Sequence, residues 1–132
     1  MKKRTLIIGL CLCLAMLAVA EYIPFKVKLN AMERIVVMSL LPKETNFSNW
    51  KIINDIKNQL ALTEQEAVAI NAAPTPEGGV SGNWGAVPEK EITFGEITEK
   101  MIVDALKKLD SESKLLPEHL SLYEKFVVRD TK

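Results

Sequence analysis

Beyond Cys13 the sequence contains no cysteine. Its two cysteines, Cys11 and Cys13, both lie in an apolar run near the start. The rest of the chain therefore has no disulfide framework, no thiolate set for zinc and no cysteine nucleophile. Histidine is almost as scarce. His119 stands alone, so a histidine metal cluster or proton relay has no second member. Ser121 and Glu118 are only its sequence neighbours, and such positions on a helix point apart, which leaves a surface histidine on a helix as the plain reading. No acidic run has EF-hand spacing. Gly78, Gly79 and Gly82 sit among prolines with no Lys-Ser/Thr after them, which excludes a phosphate-cradling loop. The longest uncharged run, Thr5 to Ala20, has sixteen residues, short of the roughly 20 that span a bilayer.

An excess of charge is missing as well, with 17 basic and 17 acidic residues. The balance is uneven along the chain. Residues 1–31 hold five basic groups and one acid, so the chain from Met32 onward carries 12 basic and 16 acidic residues, a net of −4. A mildly acidic body lacks the clustered Lys and Arg that displace counterions from nucleic acid. Nucleic acid is therefore disfavoured as a partner.

The plainest feature that is present is a leader. Lys2, Lys3 and Arg4 precede the apolar run, which ends in the small-x-small pattern of Ala18 and Ala20, followed by Glu21. These parts, in this order, resemble a secretory signal peptide. As a helix the run spans roughly 24 Å, less than the ~30 Å hydrocarbon core. That favours cleavage over a retained anchor. A short anchor is still tolerated by local thinning of the bilayer, and it would leave the body outside. A third reading makes the run a buried helix of the fold. Leu10 and Leu12, which precede the cysteines, are not the small residues that a lipobox requires.

The body divides into a linker or edge strand at 21–30 and one domain at 31–129. Phe25 to Leu29 alternates apolar and basic, and Pro24 keeps it from a central strand. Asn30 with Glu33 is a capping pair for a short helix that Pro42 ends. The spacing of Ile52, Ile53, Ile56 and Leu60 predicts a helix from about Phe47 to Leu60. Thr63 with Glu66 is a second capping box, opening a short helix that ends near Asn71. Residues 72–88 hold three of the six prolines and four of the six glycines and read as a loop. Lys90 to Phe94 alternates like a strand, and the Trp84 segment before it is its expected partner in a hairpin. Ile97, Met101, Ile102, Ala105, Leu106 and Leu109 make a helical stripe. Pro117 opens a last helix with Leu116, Leu120, Tyr123 and Val127 on one face and Leu122 and Phe126 beside it. The expected class is α+β and mostly helical, with about five short helices and one β-hairpin in winged-helix-like order.

The stretches "LLPKE" at Leu40, "LTEQE" at Leu62, "EITFGE" at Glu91, "IVDALKKL" at Ile102 and "EHLSLYEKF" at Glu118 occur in a definite order. In that order the body, from Met32 to Val128, resembles a group of small uncharacterised phage- and prophage-encoded proteins. The resemblance implies a phage or mobile-element origin and brings no catalytic residues or cofactor. Such proteins begin near Met32, so the leader departs from their pattern.

Carboxylate pairs such as Glu64/Glu66, Glu89/Glu91 and Glu96/Glu99 sit beside lysines or in first helical turns, where they support structure better than acid–base chemistry. The sequon at Asn46 matters only on a eukaryotic secretory route. In a winged helix the third helix would enter the major groove. Here that helix carries Glu64 and Glu66 and no base. Trp50 and Trp84 read as core closures before stacking platforms. The expectation is a non-enzymatic domain without cofactor or metal that binds another protein. Its contacts would come from the loop carrying Val80, Asn83 and Trp84, since loops on a rigid scaffold tend to carry binding. It is exported, or tethered through residues 5–20. The alternative is a cytosolic winged-helix-like DNA-binding accessory protein starting at Met32.

Overall fold

Side chains start the first three helices. Asn30 Oδ1 accepts the Glu33 N–H at 2.8 Å, and the Glu33 carboxylate returns the bond to the Asn30 N–H at 3.0 Å. Asn46 Oδ1 accepts the Asn49 N–H at 2.9 Å. Thr63 and Glu66 exchange a second reciprocal pair, at 3.1 and 3.0 Å. Each cap satisfies N–H groups that a helix leaves unpartnered at its start. The computed structural model describes residues 22–129. They run through β1 (Phe25–Leu29), α1 (Ala31–Leu40), α2 (Phe47–Leu60), α3 (Glu64–Ile70), β2 (Ala73–Pro74), β3 (Val80–Ser81) and a 3-10 turn at Trp84–Ala86. Then follow β4 (Lys90–Phe94), α4 (Glu96–Ser111), a 3-10 turn at Pro117–His119, α5 (Leu120–Tyr123) and a π-turn at Glu124–Val128. The class is α+β and mostly helical, with five α-helices, the β2–β3 hairpin and a second two-stranded sheet among the described residues.

The second sheet corrects one expectation. β4 pairs with β1, antiparallel, and not with the Trp84 segment. The register sets Phe25 opposite Phe94 and Val27 opposite Ile92 on the inner face, with Lys26 opposite Thr93 and Lys28 opposite Glu91 outside. Residues directly opposite share a face, so this register gathers the large apolar side chains of both strands on one face, with Leu29, Ile92 and Phe94 buried and Phe25 and Val27 half-buried. The Trp84 segment has no such alternation and turns as 3-10. Phe25, Phe94 and Phe126 close the sheet against the C-terminal turn, the last two edge to face at 5.2 Å. That arrangement suits the quadrupoles of the rings. Around them Leu29, Val37, Ile53, Leu60, Ile102 and Leu106 are fully enclosed.

The last helix also differs from its expectation. Leu116 and Leu120 are 51% and 57% exposed, while Leu122 and Phe126 are buried. A 3-10 turn before α5 and a π-turn after it change the residues per turn. The apolar stripe read at a uniform 3.6 period is therefore rotated out of phase.

The Gly/Pro loop is pinned to the domain. Asn71, left-handed at φ 48°, ends α3. The Asn83 N–H donates to the Ile70 carbonyl at 2.8 Å. Between them Gly82 passes so close that a Cβ there would lie 2.9 Å from Ile70 Cγ2 and 3.2 Å from the Ile70 carbonyl oxygen. Gly85, by contrast, has open space around it. Gly82→Ala is expected to destabilise by about 1–3 kcal/mol through overpacking, and Gly85→Ala to stay within about 0.5 kcal/mol. Urea denaturation of both variants checks this, and equal midpoints would refute the close passage.

Candidate functional site

The 3-10 turn at Trp84 is wedged between α1 and α3. Ala31, Ile70 and Val87 form a small buried cluster there, with Leu62 and the half-buried Trp84 packed against it. Beside the indole opens a cavity of about 520 Å³, lined by Asn30, Met32, Trp84, Gly85, Val87, Pro88 and Glu89. Its walls come from the start of α1 and from the loop just before β4. The Asn30 cap and the β1–β4 pairing hold both in place. Thioether, indole and pyrrolidine surfaces suit an apolar side chain, and the rim polar groups, Asn30 and Glu89, would orient it.

Asn83 is exposed directly before the indole, with its backbone committed to α3. Val80 is 58% exposed on β3, opposite Pro74, and does not line the cavity. The leader residues Ala18, Ala20 and Glu21 lie outside the described residues.

Several of the other residues singled out in the sequence are committed elsewhere. His119 corrects the surface reading: it is buried, and its Nδ1 accepts the Leu116 N–H at 2.9 Å, which closes the 3-10 turn. Glu66 is bound to the Thr63 N–H and to Arg34. The Thr63 bond first, then Arg34, holds its carboxyl below the usual value of 4.5. Glu99 accepts from both the Tyr22 hydroxyl and Arg129, and the first of these bonds pushes the Tyr22 hydroxyl up to about 12. Asn46, the sequon residue, caps α2. Trp50 is half-buried at the margin of the main core, with the Lys57 ammonium 5.6 Å from its ring centre. Among the described residues no three His, Cys, Asp or Glu side chains are grouped to hold a metal ion. No helix among them is long and apolar enough to cross a membrane.

Sequence reasoning missed Arg34, which is wholly enclosed although it is charged. Its position midway between Ala31 and Val37, three residues from each on the buried stripe of α1, was the available signal. No family model, curated protein or solved structure matches this chain.

Proposed function

We propose that this chain is a small, non-enzymatic protein-interaction domain of phage or mobile-element type, exported or membrane-tethered by its leader, and that it grips an apolar side chain of another protein beside Trp84. The observation that supports this reading is the placement of the indole. One side of Trp84 is anchored on Ala31, Ile70 and Val87, and the other borders an open, largely apolar cavity. Aromatic anchors held rigidly at a surface are the residues that dominate protein interfaces. The leader resemblance supplies the address, and the phage resemblance supplies the origin.

The rival reading, DNA binding by a chain begun at Met32, fits less well. α3 would face the groove with Glu64 and Glu66 in its first turn and no base. Phosphates repel such a surface.

A photocrosslinker tests the proposal. With Asn83→p-benzoylphenylalanine, irradiation of the host cells is expected to yield one discrete adduct, absent when the probe replaces the exposed Lys107 on α4. Trp84→Ala, half-buried, is expected to cost about 1–3 kcal/mol, less than a fully enclosed aromatic, and to leave a folded domain that no longer forms the adduct. Identical adducts from both positions, or loss of the fold in Trp84→Ala, would remove the indole from the interface.

A further inference from the structure

A second surface lies where the two ends of the described chain meet. An open groove of about 1000 Å³ runs between β1 and the C-terminal turn, lined by Phe25, Lys26, Val27, Lys28, Glu124, Lys125, Val128 and Arg129. Four consecutive residues of one strand line it, so the wall is the strand's edge. β4 occupies the other edge of β1, and among the described residues no strand pairs with this one. In an antiparallel ladder alternate residues turn their N–H and C=O groups outward. The Lys28 carbonyl accepts a hydrogen bond from the Lys125 ammonium at 2.8 Å, which marks Lys26 and Lys28 as the outward pair; an added strand would take that carbonyl over from Lys125.

We propose that this edge accepts an extended, acidic segment of another protein as an added β-strand. Lys26 and Lys28 are exposed and make no ion pair among the described residues. Lys125 and Arg129 add positive charge, partly offset by their pairs with Glu33 and Glu99. The groove holds one acid, Glu124, against four bases. This basic strip stands out on an acidic body. A second copy of β1 added to the edge would set lysines against lysines, the arrangement that guards sheet edges against self-pairing. An incoming strand with acids at alternate positions meets Lys26 and Lys28 on one face and Phe25 and Val27 on the other. Backbone bonds then supply affinity, and the alternate side chains supply choice. A five-residue edge offers about 17 Å of pairing at ~3.4 Å per residue. The outward backbone and the groove favour a strand over a flat anionic surface. This site is separate from the Trp84 cavity and does not depend on it.

A fluorescein-labelled peptide alternating glutamate and valine tests the proposal on the full chain by anisotropy. Saturable, salt-sensitive binding is expected, weakened at least tenfold by Lys26→Glu/Lys28→Glu and at least tenfold by N-methylating alternate peptide nitrogens. A peptide alternating lysine and valine should not bind, and Trp84→Ala should bind as the parent does. Circular dichroism is expected to show the double variant folded, since both lysines are exposed. Absence of saturable binding overturns the proposal. Undiminished binding of the N-methylated peptide overturns it in favour of charge alone, and loss in Trp84→Ala overturns it in favour of the other site. If the chain prefers phosphatidylglycerol over phosphatidylcholine vesicles through the same two lysines while the peptide fails to bind, the edge is a lipid contact and the proposal falls.

Discussion

A fragment from Met32 to Lys132 will not form the native domain, whereas Tyr22 to Lys132 will unfold in one cooperative transition. Met32 lies inside α1, after its cap. Starting there removes β1 and with it half of the β1–β4 sheet. It removes Leu29, which is fully buried and worth roughly 2–5 kcal/mol as a core leucine. It removes Phe25 from the aromatic trio and Ala31 from the cluster under Trp84. The Asn30 cap, about 1 kcal/mol, goes as well. Ile92 and Phe94 would then face water along a strand with no partner. Against a total stability of about 5–15 kcal/mol, these losses leave little or nothing. Far-UV circular dichroism and thermal melting of both fragments give the comparison. Leu29→Ala in the full chain supplies an intermediate case with an expected loss of roughly 2–5 kcal/mol. A cooperative melt of the Met32 fragment within a few degrees of the longer one would sink the claim that β1 belongs to the core. It would also restore the case for a chain begun at Met32.

What could be read from the sequence was local. The capping pairs Asn30–Glu33 and Thr63–Glu66 need only a three-residue spacing, and both formed as read. The stripe of Ile53, Ile56 and Leu60 placed α2 at Phe47–Leu60, because a helix buries one face through neighbours in its own chain. β4 was recognisable as a strand and β1 as either an edge strand or a linker, but their pairing was not. It depends on matching apolar faces across some sixty residues of intervening chain, and the nearer Trp84 segment competed for the assignment. The groove is harder still. Its walls come from opposite ends of the chain, joined where Lys125 meets Lys28 across 97 positions, and no spacing rule reaches that far. The cavity beside Trp84 was half-legible. The loop and its tryptophan stood out by composition, while Met32 and Asn30 joined it only through the packing of α1.

Arg34 was the least legible residue, and its variants carry the second large effect. Its side chain is fully enclosed; one guanidinium nitrogen pairs with Glu66, while Nε and Nη1 have no partner among the described residues. A buried ion pair meets a desolvation cost that its mutual attraction barely offsets, but removing one member strands a charge. Glu66→Ala is therefore expected to destabilise by about 3–5 kcal/mol. Arg34→Met keeps length and apolar bulk and discards the charge. It is expected to be neutral or stabilising by up to about 4 kcal/mol. In the double variant the alanine should cost far less than it does alone, leaving mainly the lost return bond to the Thr63 N–H. The pH dependence follows from the depressed Glu66 carboxyl. In the interval between its folded value and 4.5 the unfolded chain binds the extra proton, so stability rises with pH there. The contribution is complete above about pH 4.5 and is lost as the pH falls through the folded value. Arg34→Met should shallow this acid slope without abolishing it, because the Thr63 bond, the larger cause, remains. Urea denaturation of the parent and the three variants at pH 7 and at pH 4 measures both effects. If Arg34→Met loses as much stability as Glu66→Ala at pH 7, the guanidinium is holding the core together through contacts other than its charge pair, and the buried-charge account of α1 fails.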